Sequence, residues 1–429
     1  MNKGGGMWMF KLQRAGGVKK LSGDFRLIFF FIIPLAWSCS SGTEGTGRLP
    51  GEGVWRGVLH LQDQELPFNF MVYHRDDGPE IELMNGVERI LLDEISVSGD
   101  SMNIQMHIFD TSIETGYTAE SMTGYWQKNY LEDYVIPFNA TFGETFRFTG
   151  DPDAMADFSG RWEVYFLSGS DSSLAVGAFT QRANRLEGTF LKTTGDYRYL
   201  EGEADGDSLK LSTFDGEHAY LFKGKMISED LISGMYWSGK TWSQPWIARK
   251  NAEISLPDPD SLTFLRPGYD RIEFELPAMD GRPVSVNDPE FRDKVIILQI
   301  FGTWCSNCMD ETRFLSAWYN RNRHRDVEII AIAFERKDDL NYARERITRM
   351  KERFGINYEF LFGGKSDKDI AARVLPMLNT VVSFPTTIFI DKHGKVRKIH
   401  TGFSGPGTGI YYDKFVEEFN LFMDKLLSG

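Results

Sequence analysis

Between about residues 48 and 255, hydrophobic and polar positions alternate in short segments, as in Val54-Trp-Arg-Gly-Val-Leu-His-Leu61 and Leu209-Lys-Leu-Ser-Thr-Phe214. Gly, Asp, Asn and Ser separate the segments. Alternation over four to eight residues with turn formers between reads as antiparallel strands. From about residue 269 the pattern changes. Val295-Ile-Ile-Leu-Gln-Ile-Phe301 is a continuous apolar run, as expected of a strand buried on both faces. After it the text predicts helices over 312–323, 340–354, 367–378 and 411–427, and strands over 327–335, 358–362, 386–391 and 396–401. Strands alternating with helices imply α/β layers around a central sheet. The predicted architecture is therefore an all-β N-terminal region followed by an α/β domain.

The β-rich region is internally repetitive. Trp55 and Trp162 open similar segments, Gly99-Asp-Ser-Met102 matches Gly206-Asp-Ser-Leu209, and Phe109-Asp110 matches Phe214-Asp215. Gly124-Tyr125-Trp126 matches Gly234-Met-Tyr-Trp237, and Pro137-Phe-Asn-Ala140 matches Pro245-Trp-Ile-Ala248. The nearly constant offset points to a duplicated segment of about 100 residues. Two repeats, 51–150 and 157–250, are expected as two small barrels or sandwiches or one larger one. Their recurring aromatics are expected in the core. No catalytic or metal-ligating set stands out among them, and the function of the repeats stays open. A proline-rich polar stretch, 251–268, reads as a linker to the last domain, 269–429.

Residues 1–38 have a different character. Six Lys or Arg against one acid precede Leu27-Ile-Phe-Phe-Phe-Ile-Ile-Pro-Leu-Ala-Trp37, which is too short to span a bilayer as a helix. A basic stretch, a short apolar stretch and a small-residue exit form the pattern of a secretory leader. Cys39 follows directly and resembles the lipidation cysteine of bacterial lipoproteins, with 39–50 as a tether. Trp37 departs from the small residue usual before that cysteine. An ordinary leader or an uncleaved anchor, with an incidental cysteine, is the alternative. On either reading the chain leaves the cytoplasm for a compartment where disulfides persist.

At 429 residues, with 41% apolar and 25% charged residues, the chain has globular composition and room for two or three domains. The net charge is −13, and leaving out residues 1–38 makes it −18, so a nucleic-acid partner is not expected.

Of the three cysteines, Cys305 and Cys308 stand in Gly302-Thr-Trp-Cys-Ser-Asn-Cys308, between the buried strand and the helix after it. A thiolate is the nucleophile of disulfide exchange, and the free N–H groups of a helix N-terminus favour it. Cys305 is therefore the expected attacking sulfur and Cys308 the resolving one, with Trp304 shielding one side. A zinc site lacks two ligands, because the histidines are wrongly spaced. A structural staple across two residues would remove little loop entropy.

With these residues the C-terminal domain resembles the TlpA-like family, exported thioredoxin-fold thiol-disulfide oxidoreductases. The resemblance rests on Leu276-Pro-Ala-Met-Asp-Gly-Arg-Pro283, Phe301–Cys308 and Ser383-Phe-Pro-Thr-Thr-Ile-Phe-Ile-Asp391. It implies that Pro385 is a cis-proline facing the dithiol, with Phe384 beside it. It also implies that Glu311 accepts a proton when Cys308 is activated; an exposed first-turn glutamate is the alternative. Gln299 stands where thioredoxin has a buried acid. No cofactor beyond the dithiol and no metal is implied. The partners expected are disulfide-containing exported proteins, a membrane electron donor and the membrane itself through the lipid anchor, in the periplasm or cell envelope. Ser306-Asn307 lacks the common proline, so oxidase or isomerase activity stays open. A surface glycan- or protein-binding lipoprotein worked by the β-repeats is a second reading. A peroxiredoxin is a third, although Gly302 occupies the place of that family's threonine.

Overall fold

A computed structural model describes residues 49–150 and 156–429. The leader and Cys39 lie outside the described residues. The first repeat supplies β1 (Gly53–Leu61), β2 (Gln64–Arg75), β3 (Gly78–Asn85), β4 (Glu88–Leu92) and β5 (Ile95–Ser98). It continues with β6 (Ser101–Gln105), β7 (Thr111–Tyr117), β8 (Ser121–Lys128) and β9 (Val135–Phe142). Together they form one antiparallel sheet in the order β4-β3-β2-β1-β9-β8-β7-β6-β5.

The second repeat supplies β10 (Gly160–Ser168), β11 (Asp171–Arg182), β12 (Arg185–Lys192), β13 (Gly195–Asp196) and β14 (Leu200–Asp205). Then come β15 (Ser208–Phe214), β16 (Ala219–Ser228), β17 (Leu231–Ser238) and β18 (Trp242–Lys250). Their order is β11-β10-β18-β17-β16-β15-β14-β12-β13, and a further β11–β12 pairing closes the ring into a barrel. Adding nine to each strand number of the first sheet reproduces the neighbours of the second from β3 through β1 and β9 to β5. The two sheets share one strand plan.

Local chemistry repeats with it. The β5–β6 and β14–β15 hairpins turn on Gly99 and Gly206, both at φ near +60°, a conformation that glycine enters without steric penalty. The indole N–H groups of Trp55 and Trp162 each donate to the carbonyl four residues earlier, and both rings are fully buried. The pairing of Trp126 with Trp237 is corrected by one residue. Gly124 and Gly234 face β7 and β16 in equivalent positions, opposite Thr115 and Gly224. Tyr236 then takes the inward place of Trp126, and Trp237 points the other way, as the two-residue period of a strand requires.

Residues 251–268 run along the C-terminal domain. Asp260 accepts from Lys398 and lies 2.7 Å from His400 Nδ1, and Leu265 forms a β-bridge with Leu378. The domain opens with a small hairpin, β19 (Glu275–Pro277) and β20 (Pro283–Ser285). Its main sheet comprises β21 (Val295–Phe301), β22 (Val327–Glu335), β23 (Glu359–Lys365), β24 (Thr386–Ile390) and β25 (Val396–Thr401). The order is β23-β22-β21-β24-β25, with β21, β22 and β23 parallel and β24 and β25 antiparallel to their neighbours. Around it pack α1 (Ser306–Asn322), α2 (Leu340–Phe354), α3 (Lys368–Val374) and α4 (Ile410–Ser428).

Two helices differ from their predicted limits by more than one residue. The first begins six residues earlier, at the dithiol. The third stops at Val374, because Leu375 precedes Pro376 and a residue before proline is driven out of the helical region. The first repeat and the C-terminal domain share a continuous apolar core. No helix among the described residues is long and apolar enough to cross a membrane.

Truncating Trp55 or Trp162 to alanine is expected to lower stability by about 3–5 kcal/mol, the usual loss for a large buried aromatic. Trp242→Ala, at a ring 54% exposed, should shift it by less than about 0.5 kcal/mol. Urea unfolding of the full chain checks both.

Candidate active site

Every residue of β21 is buried, and the chain leaves it at Gly302 to start α1 only four residues later. Glycine is required at 302, where a Cβ would run into the Trp304 indole nitrogen and come within 2.6 Å of the Phe334 carbonyl oxygen. The turn is then fixed from the neighbouring strand. Thr303 donates its N–H and hydroxyl to the two oxygens of Glu335 at 2.9 and 2.7 Å, and Trp304 donates its indole N–H to the Phe334 carbonyl at 2.8 Å. The Arg336 guanidinium stacks 4.0 Å from the Trp304 ring.

Cys305 is the N-cap of α1, with extended backbone, and its Sγ accepts the Cys308 N–H at 3.2 Å. An unpaired helix N–H therefore points at this sulfur, as thiolate chemistry needs. The two cysteines are joined as a disulfide with their Cα atoms 5.1 Å apart. Cys308 is fully buried, and Cys305 is 7% exposed. The Phe384–Pro385 peptide bond is cis. It places the Phe384 carbonyl oxygen 3.5 Å from Cys305 Sγ and sets the Phe384 ring edge-on to Trp304. Five residues named from the sequence (Trp304, Cys305, Cys308, Phe384 and Pro385) thus meet at one point.

Glu311 sits on the same helix, one turn past Cys308, and is 2% exposed, so the exposed first-turn alternative does not describe it. One of its oxygens accepts from Gln299 Nε2 at 2.7 Å and the other from the Thr387 hydroxyl at 2.8 Å. Burial pushes its carboxyl up to about 7, with the Gln299 and Thr387 hydrogen bonds opposing. Gln299 therefore does not replace a buried acid but holds one contributed by the helix. Glu335, also buried and also raised by burial, was not singled out from the sequence.

Nor were the residues that the second repeat brings to this face. Arg198, 2% exposed, donates to the Ser306 carbonyl oxygen at 3.1 Å and forms ion pairs with Asp310 and Glu88. The Ser306 hydroxyl donates to Asp215 at 2.5 Å and lies 2.9 Å from His218 Nδ1. Ser383, next to the cis-proline, donates to the Thr194 carbonyl at 2.8 Å. The only sequence signal was the repeat match of Asp110 with Asp215. In the structure both of these turns reach the C-terminal domain, Asp110 through Tyr342 at 2.9 Å and Asp215 through Ser306. Among the described residues no group of three or more His, Cys, Asp or Glu side chains is arranged to hold a metal ion.

The Glu311 carboxyl has a consequence for stability. Folded, it keeps its proton to about pH 7; unfolded, it releases it near 4.5. Its contribution is therefore complete below about pH 4.5 and is lost as pH rises to about 7, on the order of 3 kcal/mol in all. Glu311→Gln is expected to gain stability relative to the parent chain across that window and to hold a constant difference above it. Urea midpoints at pH 5 and pH 8 measure the gain.

Residues 267–399 match the family model described as AhpC/TSA family. Thiol-disulfide oxidoreductase ResA of Geobacillus thermodenitrificans is 30% identical over 130 residues, which is 30% of this chain and 66% of that protein. ResA of Bacillus subtilis is 26% identical over 135 residues, 32% of this chain and 67% of that protein. The chain thus spans about two thirds of the length of the curated relatives it matches. Among solved structures, the thioredoxin domain of a Bacteroides vulgatus thiol-disulfide oxidoreductase is 23% identical. That match covers 36% of this chain and 99% of that one, with a TM-score of 0.27. With its dithiol at the strand-to-helix turn and its cis-proline alongside, the C-terminal domain is similar in sequence and site to TlpA-like thiol-disulfide oxidoreductases.

Proposed function

We propose that this protein reduces disulfides of other exported proteins through the Cys305–Cys308 dithiol. The observation that carries the reading is the position of Cys305, capping α1 with a helix N–H on its sulfur and the carbonyl of Phe384, the residue before the cis-proline, beside it. In the reduced form, the Cys305 thiolate attacks one sulfur of a substrate disulfide. A Cys305–substrate S–S bond forms as the substrate's own S–S bond breaks, and the leaving sulfur departs as a thiolate that takes up a proton. The Cys308 thiolate then attacks Cys305 Sγ, closing the internal disulfide and releasing the second substrate thiol. The substrate gains two electrons and two protons, and the dithiol loses them.

Glu311, with a carboxyl near neutrality one turn from Cys308, takes the Cys308 proton as that thiol becomes the nucleophile. Pro385 has no N–H to compete for the sulfur and leaves the substrate edge beside Cys305 open. Trp304 and Phe384 wall that edge. Gly302 speaks against peroxide reduction, because the threonine such enzymes place there would meet the Trp304 ring and the Phe334 carbonyl. Residues 1–38 carry the chain out of the cytoplasm, acylated Cys39 tethers it to a membrane of the cell envelope, and a membrane electron donor restores the dithiol.

Equilibration of the full chain with glutathione measures the direction. A potential near roughly −270 mV is expected for a reductase, and one near roughly −120 mV would mean an oxidase. Cys308→Ser should accumulate a mixed disulfide through Cys305, visible by mass spectrometry as a dithiothreitol-labile adduct. Glu311→Gln should slow turnover about 100-fold, the lower end of proton-transfer contributions, without preventing that adduct.

A further inference from the structure

The second β-repeat does more than rest against the dithiol domain: its turn between β15 and β16 inserts a carboxylate at the residue between Cys305 and the body of α1. Asp215 is 1% exposed and accepts the Ser306 hydroxyl at 2.5 Å, together with the backbone N–H groups of Glu217 and His218 at 2.9 and 2.6 Å. His218 Nδ1 lies 3.3 Å from one of its oxygens, and Arg198 Nε lies 3.7 Å from the same oxygen. The partly buried Tyr220 ring belongs to the same surroundings. Burial alone would push the Asp215 carboxyl up, but His218, Arg198 and the Ser306 hydroxyl hold it below the usual carboxylate range.

Charge does not balance here. Arg198 is shared by Glu88, Asp310 and Asp215, and Asp196 adds a fourth buried acid to its field. Burial pushes Asp310 up to about 7 in spite of Arg198, so Asp310 gives up its charge first and Asp215, held low, keeps its own. A buried anion one residue from the reacting sulfur opposes the thiolate there, against the pull of the helix N-terminus. Destabilising the thiolate destabilises the reduced dithiol, which makes the protein a stronger reductant; the converse stabilisation makes an oxidant.

We propose that Asp215, contributed by the second β-repeat and seated on Ser306, is a positioning residue of the active site that sets the Cys305–Cys308 dithiol toward reduction. The inference rests on the reading of Cys305–Cys308 as the working dithiol and adds to it a part for the β-repeats. Asp215 touches no substrate; it acts through Ser306 and through its charge.

Asp215→Asn removes the charge at nearly constant shape, and Ser306→Ala removes the hydrogen bond while keeping the charge. Two readouts on the full-length chain separate these effects: the pH midpoint of Cys305 alkylation by iodoacetamide, and the equilibrium with glutathione. For Asp215→Asn, the midpoint is expected to fall by about one pH unit and the glutathione equilibrium to move about tenfold toward the dithiol, equivalent to about 30 mV. For Ser306→Ala, the midpoint should stay or rise. An Asp215→Asn chain unmoved in both readouts, or equal downward shifts in the two variants, overturns the proposal. If Asp215→Asn does not fold, Ser306→Ala still decides, since a downward midpoint there contradicts the charge account. A parent chain that reduces no disulfide would defeat the functional reading alone, because both readouts here are independent of turnover.

Discussion

A helix starts at Cys305 because a strand buried along its whole length ends at Phe301, and the rest of the molecule is arranged around that junction. The strand cannot shift without exposing Val295–Phe301, so the helix N-terminus has one place to be. Gly302 makes the tight exit sterically feasible, and Glu335 fixes the turn through Thr303. The Cys308 N–H is then directed at Cys305 Sγ by the helix itself. Chemistry at this sulfur is thus a property of backbone geometry, supplied before any charged side chain acts.

Charged side chains act on it from two directions. Glu311 comes from the same helix and is held from below by Gln299 and Thr387. Arg198 and Asp215 come from the second β-repeat and hold the first turn from outside. Burying one guanidinium among several carboxylates is poor value for stability, since desolvation offsets most of the attraction. Such a cluster defines instead how two domains meet. The first repeat uses its equivalent turn on the helix flank, where Arg313 Nη2 lies 2.8 Å from His107 Nε2, Tyr342 donates to Asp110, and Arg349 donates to the His107 carbonyl. Of the two duplicated turns, one thus meets the start of the dithiol helix, and the other meets α2 and, through Arg313, the flank of the dithiol helix.

What could be read from the sequence follows from how local each signal is. The apolar run of β21, the Cys-Ser-Asn-Cys turn and the Ser383-Phe-Pro-Thr-Thr stretch are contiguous, so their meeting point was recognisable. Strand alternation and the turn glycines exposed the repeats, because each repeat is a string of hairpins. The Trp126–Trp237 match was misplaced by one residue, since identity of residue type outweighed the two-residue period. The burial of Glu311 is not legible in the sequence because it depends on Thr387, 76 residues further on, and on how the turn at the dithiol folds the helix back over Gln299. Arg198, Asp215 and His218 were out of reach for the same reason: nothing near them in sequence announces that they face Ser306. The start of α1 was set too late because polar Ser306-Asn307 reads as a loop until its buried partners are known.

The claim beneath all of this is that one sulfur, capping one helix, carries the reaction. Dithiothreitol-driven reduction of insulin by the full-length chain, compared with Cys305→Ser, tests it most directly. Turnover in the variant should drop to the uncatalysed background while the fold, followed by circular dichroism, stays intact. A Cys305→Ser chain that reduces insulin as fast as the parent would contradict the account.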